Sequence, residues 1–532
     1  MRECTLERRG SAAPERSPGI FVFLLPVFFV FYGAAAQTDP FRAPFAMPAL
    51  RLPDIPGRTY DIRSFGALEG GAKNTEAIRS AIGAAAASGG GVVLIPRGRW
   101  LTGAIHLESH TGLRLEKGAE LLFSQDPADY LPVVFSRHED TECFKYSAFI
   151  YADRKTDIAI TGEGVLNGQG TPWWAWKEER KDLEAKLIDM GNRDVPVNQR
   201  VFDGADGNGL RPAFFQPMRC KNILVEGVTF LYGAFWTITP TYCENVIIRG
   251  VTIETEGEGG HTPNGDGVDP SSCRNVLIEG CTFNTGDDCI AIKAGRDRDG
   301  LRVNAPTENV IIRHCRGFNG HGGIVVGSET AGGVSNVFAR DCSFSGTDRI
   351  VRIKTARGRG GVLQHMWFQD LSGERVRLEG IHLNMLYTGS RLPEQPPGPA
   401  TPRIRDMHFS RITQSSGQGY ALEILGLPEM PVEDVTFDSL SIRSALGIHC
   451  ADARSIAFSH LDVRPHSGPT VWLEFCSGVK LDAVRVPEGA DPFLRVEGQG
   501  TGIVVRHTPP AGAKRMLELG RGVLPGAVNI VN

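Results

Sequence analysis

The stretch Arg219–Phe230 reads RCKNILVEGVTF, and two close copies follow it: YCENVIIRGVTI at Tyr242–Ile253 and SCRNVLIEGCTF at Ser272–Phe283. Weaker copies begin near Thr307, Val334, Val432 and Ala453. The asparagine of the repeat recurs after 23, 30, 34 and 27 residues, at Asn222, Asn245, Asn275, Asn309 and Asn336. Periods of 20–50 residues are typical of a solenoid, in which each repeat forms one turn of a coil.

The composition of the repeat indicates which solenoid it forms. Each copy holds a short run rich in β-branched residues, such as Val246–Ile248, bracketed by glycine or asparagine. Helical spacing is absent there, so the pattern favours strands. We therefore predict an all-β fold, a parallel β-helix whose turns stack ~4.8 Å apart. The repeated asparagines are predicted to form a ladder of side-chain amides along the coil axis. Small residues six positions later are predicted to face the core, namely Val228, Val251, Cys281, Cys315 and Cys342.

Two segments depart from the strand pattern and predict helices. Asn74–Ala87 reads NTEAIRSAIGAAAA, with a helix N-cap at Asn74 or Thr75. We expect this N-terminal helix to cap the first turn, because an uncovered strand edge invites aggregation. Pro172–Met190 is predicted to be a helical insertion. Its tryptophans either anchor the insertion or form a platform for a sugar, and we favour anchoring.

The N-terminus has the pattern of an export signal. Arginines precede the apolar run Ile20–Tyr32, and Ala34–Ala36 offers a small-residue cleavage site. The run contains Pro26 and is short for a membrane span of ~20 residues. We predict a signal peptide over residues 1–36, a secreted or periplasmic protein and no membrane span in its mature form. An uncleaved anchor stays open. A Pro-rich lead-in over 37–58 and a single catalytic β-helix domain over 59–532 are expected to follow.

Charge and cysteine usage limit the possible partners. The net charge of −4 gives no basic footprint, so a nucleic-acid partner is not expected. Ten of the eleven cysteines remain if Cys4 leaves with the signal peptide, and most occupy repeat columns. We expect reduced core thiols. Export and close stacking would also permit disulfides, so their state stays open. No cysteine or histidine spacing indicates zinc, and we expect no metal or other cofactor.

Four polar clusters occur at intervals close to the repeat period. They are Asn264-Gly265-Asp266, Gly286-Asp287-Asp288, Gly320-His321-Gly322 and Arg352-Ile353-Lys354. The step from Asp266 to Asp287 is 21 residues, that from Asp287 to His321 is 34, and that from His321 to Arg352 is 31. If each repeat is one turn, the clusters lie at the same angle on neighbouring turns. Three carboxylates, an imidazole and two cations would then share one patch of surface.

Three clustered carboxylates suit the cleavage of glycosidic bonds. Such cleavage uses one carboxyl group as the acid for the leaving oxygen and a second to assist the attack. Asp287 and Asp288 are adjacent, so both face the same side only if a turn breaks the strand alternation, and Gly286 favours such a turn. Carboxylates this close cannot all ionise readily. One is expected to retain its proton and to act as the acid, with the group titrating as a unit.

The basic residues of the clusters suit an acidic substrate. His321 lies between two glycines, which allows close approach of the backbone to a ligand. It is predicted to orient the acid or to bind the sugar. Arg352 and Lys354 share one face of a strand and suit a substrate carboxylate. Asn264 is also assigned to substrate binding. A ladder of surface salt bridges explains any one of these clusters, but not four at the same angle.

In this order the clusters resemble glycoside hydrolase family 28, the polygalacturonases and related pectin hydrolases. The family pattern is NTD, GDDC, GHG and RIK, and GDDC is matched by Gly286–Cys289. The resemblance runs from about Tyr60 to the end of the chain, and Gly323–Val337 is similar to the bacterial branch. One position departs: the threonine of NTD is replaced by Gly265, which is expected to change the local turn or a substrate subsite.

The resemblance implies a right-handed parallel β-helix and metal-free, inverting hydrolysis of α-1,4 bonds between galacturonic acid units. The implied substrate is an acidic plant cell-wall polysaccharide, pectin or polygalacturonate, or its oligosaccharides. By motif match, Asp287 is the general acid, while Asp266 and Asp288 activate the water. His321 supports protonation of the acid. Arg352 and Lys354 bind the galacturonate carboxylate.

Several alternatives stay open at this stage. A related hydrolase of rhamnogalacturonan or xylogalacturonan would use the same acids. Exo action is also open, because a long insertion such as that around Trp173 would block one end of the groove. The order of the basic residues disfavours a pectate lyase. A non-catalytic, polysaccharide-binding β-helix is disfavoured by the intact carboxylates. The sequence leaves the oligomeric state undetermined.

Overall fold

A computed structural model describes residues 43–387, 391–510 and 512–531. The predicted signal peptide, residues 1–36, lies outside the described residues. Among the described residues, no helix is long and apolar enough to cross a membrane.

Most of the described strands pair in parallel and wind into a coil. Two of its faces belong to one continuous sheet, here called the long sheet, which has 26 strands within the described ranges. Its strands are Thr59–Asp61, Gly91–Ile95, Gly98–Thr102, Thr111–Leu115, Ala119–Phe123, Thr156–Gly162, Val165–Asn167, Lys221–Glu226, Thr229–Leu231, Glu244–Arg249, Thr252–Glu254, Arg274–Glu279, Thr282–Asn284, Thr307–Arg313, Arg316–Phe318, Val334–Ser345, Val362–Glu374, Arg403–Ser410, Thr413–Gln414, Val432–Asp438, Ser441–Ser444, Ala453–Ser459, Asp462–Pro465, Lys480–Asp482, Ile503–Arg506 and Val528–Val531.

A further face, here called the groove sheet, has nine strands in the described part of the chain. They are Ile290–Ile292, Ile324–Val326, Val351–Lys354, Ile381–Asn384, Tyr420–Leu425, Leu446–Ala451, Val471–Glu474, Leu494–Glu497 and Leu517–Leu519. Single pairings of Ile238 and Val268 continue this face towards earlier turns. The strands of those earlier turns are Ile105–His106, Ile150–Asp153 and Phe215–Met218. One face therefore runs along the length of the coil.

Strands of successive turns pair with an offset of one sequence repeat, so equivalent positions of the repeat lie side by side. Val246 pairs in parallel with Val276, and Val276 pairs with Val310, each in the same column of the repeat. This arrangement confirms the prediction of a parallel β-helix. The predicted core column is also buried, since Val228, Val251, Cys281, Cys315 and Cys342 are each at most 3% exposed. All ten described cysteines are buried free thiols.

The repeated asparagines form the predicted ladder. Each has a left-handed backbone, with φ between 55° and 60°, a conformation that asparagine tolerates better than most residues. The Asn245 amide donates to Oδ1 of Asn222 at 2.8 Å, and Asn336 donates to Asn309 at 2.9 Å. The lead-in follows the same ladder, where the backbone N–H of Arg51 donates to Asn245 Oδ1. The ladder thus ties the turn of Asn222 to that of Asn245, and the turns of Asn275, Asn309 and Asn336 to one another.

The N-terminal helix, α1, spans Thr75–Ala87. Its inner residues Ala77, Ile78, Ala81, Ile82 and Ala85 are buried and join the core of the coil. The helix itself is present where the sequence predicts it. Its role as a cap stays a prediction.

The insertion contains three short helices rather than one. They are α2 (Thr171–Trp174), α3 (Trp176–Glu179) and α4 (Lys181–Asn192), and α5 (Asp297–Val303) follows later in the chain. Trp173 is 1% exposed and packs edge-on against Tyr130, so it anchors the insertion rather than presenting a sugar platform. Short 3-10 helices occur at Ile62–Phe65, Pro127–Tyr130, Val197–Gln199 and Ala205–Gly207.

Two hairpins project from the coil. The larger one, here called the wall hairpin, pairs Val134–His138 with Thr141–Lys145 in antiparallel fashion, and Val201–Phe202 joins its second strand. The smaller one pairs Glu256–Gly257 with Gly260–His261. Neither belongs to the repeat, so both add local structure beside the groove sheet.

Candidate active site

The register of the groove sheet aligns the four predicted clusters. Val268, Ile290, Ile324 and Val351 are successive parallel partners. Each cluster lies just before or within the strand segment that contains one of these residues. The side chains of the clusters therefore meet at one edge of the sheet on neighbouring turns.

All seven predicted residues line one cleft of about 190 Å³: Asn264, Asp266, Asp287, Asp288, His321, Arg352 and Lys354. Three of them, Asp266, Asp287 and Asp288, are here called the carboxylate triad. One oxygen of each lies within 4.8 Å of an oxygen of the other two. Asp266 and Asp288 are 3% and 0% exposed. The structure thus brings the acids, the imidazole and the cations together.

Glycines shape the turns that carry the triad. At Gly286 a bend replaces regular strand, which lets Asp287 and Asp288 both line the cleft. A Cβ at Gly286 would lie 2.8 Å from the ring of His261, and a Cβ at Gly265 would lie 2.6 Å from the Thr262 carbonyl oxygen. Gly265, the departure from the family pattern, is therefore matched to a turn that has no room for a side chain.

Each carboxylate of the triad has its own basic neighbour. Nδ1 of His321 lies 3.0 Å from Oδ1 of Asp287. The ammonium group of Lys354 donates to Oδ2 of Asp288 at 2.7 Å. Nζ of Lys293 lies 3.6 Å from Oδ2 of Asp266. The cleft therefore holds three acid–base pairs rather than three uncompensated charges.

The surroundings push the pKa values of the triad in opposite directions. Burial, together with the charges of Asp269 and Asp287, raises the pKa of Asp266 well above its usual range. Burial also acts to raise the pKa of Asp287, but the hydrogen bond and charge of His321 outweigh it and lower the pKa. The same hydrogen bond raises the pKa of His321.

These directions place the protons differently from the sequence-based expectation. One carboxyl group of the triad does favour its protonated form, but in the free cleft it is Asp266 and not the motif-matched acid Asp287. The physical reason is that the contact with His321 lowers the pKa of Asp287, whereas burial beside Asp269 raises that of Asp266. Nδ1 of His321 still lies within hydrogen-bond distance of Oδ1 of Asp287, close enough to pass a proton to it.

Sequence reasoning missed Lys293, which lies beneath the triad. It is 3% exposed, and its Nζ lies 3.2 Å from Glu329. Burial acts to lower its pKa, but the charges of Glu329 and Asp269 raise it well above the usual value. A signal was present, because Ile290–Lys293 reads IAIK and parallels VRIK at Val351–Lys354. Extending the strand register places Lys293 in the same column as Lys354.

A second missed element is the tip of the wall hairpin. Glu139 lines the cleft and pairs with Arg296 at 3.1 Å. Next to it, Asp140 accepts hydrogen bonds from the Gly295 N–H at 2.8 Å and the Ser271 hydroxyl at 2.7 Å. The tip is thus fixed across two turns of the coil and forms one wall of the cleft. No periodic sequence signal marks it.

Arg352 differs from the other cations of the cleft. Across the described residues it has no ion-pair partner, and its buried Nε makes no hydrogen bond. Lys354, in contrast, is already bound to Asp288. Arg352 is therefore the guanidinium that is available for an anionic ligand. Charge-assisted pairing with a carboxylate is a strong and geometrically specific interaction of arginine.

The chain is similar in sequence and in structure to several known proteins. The family model described as Glycosyl hydrolases family 28 matches residues 202–458. A hyperthermoactive exopolygalacturonase from Thermotoga maritima is 36% identical, with 78% of this chain and 94% of that chain covered at a TM-score of 0.72. A "Probable polygalacturonase" from Vitis vinifera is 29% identical over 74% of this chain and 75% of its own length. An "Exo-poly-alpha-D-galacturonosidase" from Dickeya chrysanthemi is 27% identical over 78% and 72%.

Proposed function

The chain belongs to glycosyl hydrolase family 28, and from this premise we propose that it hydrolyses the α-1,4 bonds of galacturonan from a chain end. It is a glycoside hydrolase. The observation that carries the proposed substrate is a single cleft holding three carboxylates beside the unpaired guanidinium of Arg352. A neutral polysaccharide would leave that half-buried guanidinium without a charged partner, whereas a substrate carboxylate would pair with it. The names of the relatives also favour galacturonan.

In the proposed mechanism, Asp287 protonates the leaving oxygen. The proton held between His321 and Asp287 moves to Asp287 over their 3.0 Å contact as the glycosidic oxygen arrives. Asp288, ion-paired to Lys354, takes a proton from the attacking water, and Asp266 orients that water. In support, Oδ1 of Asp266 and Oδ1 of Asp288 are buried and have no hydrogen-bond partner in the protein.

The proposed mechanism inverts the configuration at the anomeric carbon. Inverting enzymes commonly separate their two carboxyl groups by ~6.5–9.5 Å and retaining enzymes by ~5–5.5 Å. The oxygens of the triad approach within 4.8 Å, which alone would favour a nucleophilic carboxylate. We nevertheless propose inversion, because two carboxyl groups, those of Asp266 and Asp288, each have an oxygen without a protein partner and can share one water.

Exo action is proposed from the shape of the cleft. The wall hairpin crosses from an early turn and is fixed to Ser271 and Gly295, which closes one side. The cleft, about 190 Å³, is smaller than the ~300–1,000 Å³ pockets that bury drug-sized ligands. A short chain end fits such a closed space better than the middle of a polymer.

A time course of polygalacturonate hydrolysis followed by proton NMR and chromatography is expected to show one short product from the first minutes. The first-formed reducing end should be the β-anomer, because inversion at an α-linked carbon gives β. An early ladder of oligomers would indicate endo action, and an initial α-anomer would contradict inversion. Unsaturated products would contradict hydrolysis. Faster cleavage of rhamnogalacturonan in a parallel assay would favour that substrate instead.

Replacing Arg352 with glutamine is expected to lower kcat/KM on polygalacturonate by ~10–100-fold, which corresponds to the loss of a hydrogen-bonded charge pair. The loss should be smaller on a highly methyl-esterified substrate, whose esters cannot pair with a guanidinium. The matched control is Arg405→Gln, because Arg405 lies on the long sheet and bonds to Gln364. Equal losses on both substrates would contradict carboxylate recognition by Arg352.

We also propose that the first 36 residues are removed on export, that the mature protein is secreted or periplasmic, and that residues 59–532 act as one catalytic domain. The N-terminal export pattern supports the first two points. Mass spectrometry of the exported protein would locate its first residue.

A further inference from the structure

Beyond the catalytic strand, the groove sheet carries a column of histidine and glutamate side chains. His382 is the register partner of Arg352, Glu423 is the partner of His382, and His449 is the partner of Glu423. Glu379 lies just before the strand that holds His382. Neither the family motifs nor the proposed mechanism uses these residues.

His382 is buried without a hydrogen bond. It is 4% exposed, and neither of its ring nitrogens has a hydrogen-bond partner. Nε2 lies 3.2 Å from Oε2 of Glu423, and Nδ1 lies 3.8 Å from Oε2 of Glu379, without hydrogen-bond geometry. Buried polar groups normally have a partner, so this imidazole between two carboxylates calls for a ligand.

The distances suit a small divalent ion. One potential ligand atom from each of Glu379, His382 and Glu423 lies within 4.8 Å of those of the other two. Metal–ligand bonds of ~2.0–2.2 Å in a tetrahedron give ligand–ligand separations of roughly 3.3–3.5 Å. The 3.2 Å contact between His382 and Glu423 is close to that value. The Glu379 and Glu423 side chains are each 15% exposed, so an ion can reach them from solvent.

Neighbouring groups hold the two carboxylates in place. Arg349 lies 2.6 Å from Oε2 of Glu379. His449 lies 3.3 Å from Oε1 of Glu423, and its other nitrogen is 2.8 Å from Glu474. Such outer partners orient ligands, while the positive charge of Arg349 limits the affinity.

We propose that Glu379, His382 and Glu423 bind one divalent transition-metal ion of the Zn²⁺ type, one turn beyond the catalytic cleft. A mixed nitrogen and oxygen set of three protein ligands leaves a position open for water. Imidazole favours zinc and its neighbours over calcium and magnesium, which prefer oxygen ligands. The ion would join two successive turns of the coil and would add positive charge beside Arg352. This binding is independent of the catalytic proposal.

Calorimetric titration of the EDTA-treated, dialysed full-length protein with ZnCl₂ near pH 7 tests the site. We expect about one ion per chain with a Kd of ~10 μM or tighter, and at least tenfold weaker binding of Ca²⁺. His382→Gln should weaken zinc binding by at least ~30-fold, and Glu423→Gln should weaken it similarly. The matched control is His460→Gln, since His460 pairs with Asp438 at 2.9 Å outside any such cluster.

A second experiment distinguishes zinc binding at this site from zinc binding at the carboxylate triad, whose oxygens are another possible set of ligands. Asp287→Asn should leave zinc binding unchanged. Failure of the unaltered protein to bind zinc below 1 mM would overturn the proposal. So would equal binding by the His382 and Glu423 variants, or a loss confined to Asp287→Asn. Gel filtration and circular dichroism confirm folding, and Glu423→Gln decides the question if His382→Gln does not fold.

Discussion

Replacing Asp287 with asparagine is expected to lower the turnover number on polygalacturonate by ~10²–10⁴-fold while the coil stays folded. Asparagine nearly matches aspartate in shape and can still bond to His321, but it cannot give a proton to the leaving oxygen. Because the change removes an interaction of the transition state, kcat should fall far more than KM changes. Initial rates of reducing-end release at saturating substrate, with a thermal unfolding curve, measure both quantities.

The matched control for this experiment is Asp438→Asn. Asp438 pairs with His460 at 2.9 Å much as Asp287 pairs with His321 at 3.0 Å, but it lies on the long sheet. Its loss should leave turnover unchanged. A decrease of only two- or three-fold in Asp287→Asn would remove Asp287 from the role of acid. Since Asp287 raises the pKa of His321, the same variant should also lower that pKa, which NMR titration of the imidazole can follow.

The sequence predicts the coil well because one repeat equals one step of strand register. Val246, Val276 and Val310 are both sequence equivalents and spatial neighbours, so a one-dimensional pattern carries three-dimensional information. The same logic brings Asp266, Asp287 and Asp288 into one cleft. Lys293 follows from it too, because IAIK and VRIK occupy equivalent strand positions. In a solenoid, functional residues can therefore be predicted from the sequence where they occupy a repeated position.

Features of the site that lie outside the repeat could not be predicted from the sequence. Glu139 reaches the cleft from a hairpin outside the periodic pattern, so only its contact with Arg296 reveals its position. The location of the retained proton depends on the burial of Asp266 beside Asp269, and burial at that level requires coordinates. The insertion around Trp173 shows the same limit. Its composition predicts helix, but it predicts neither the three separate helices nor the burial of Trp173.

Replacing Lys354 with methionine is expected to damage both stability and catalysis. Asp288 is 0% exposed, and its hydrogen bond from Lys354, at 2.7 Å, compensates its charge. Removing one partner of a buried ion pair costs about 3–5 kcal/mol, because an uncompensated charge stays buried. The proposed base would also lose the ammonium group that orients it, so turnover should fall by at least ~100-fold. Chemical denaturation and initial-rate kinetics measure the two effects.

The double variant Lys354→Met/Asp288→Asn separates the two effects. Replacing both members of a buried pair with neutral groups of similar size is often close to neutral for stability. Most of the lost unfolding free energy should therefore return in the double variant, whereas activity should not, because the proposed base is absent. If Lys354 instead acts only on the substrate carboxylate, the single variant will unfold like the unaltered protein. Its loss of activity will then disappear on methyl-esterified substrate, and the pairing of Lys354 with Asp288 will not be what positions the base.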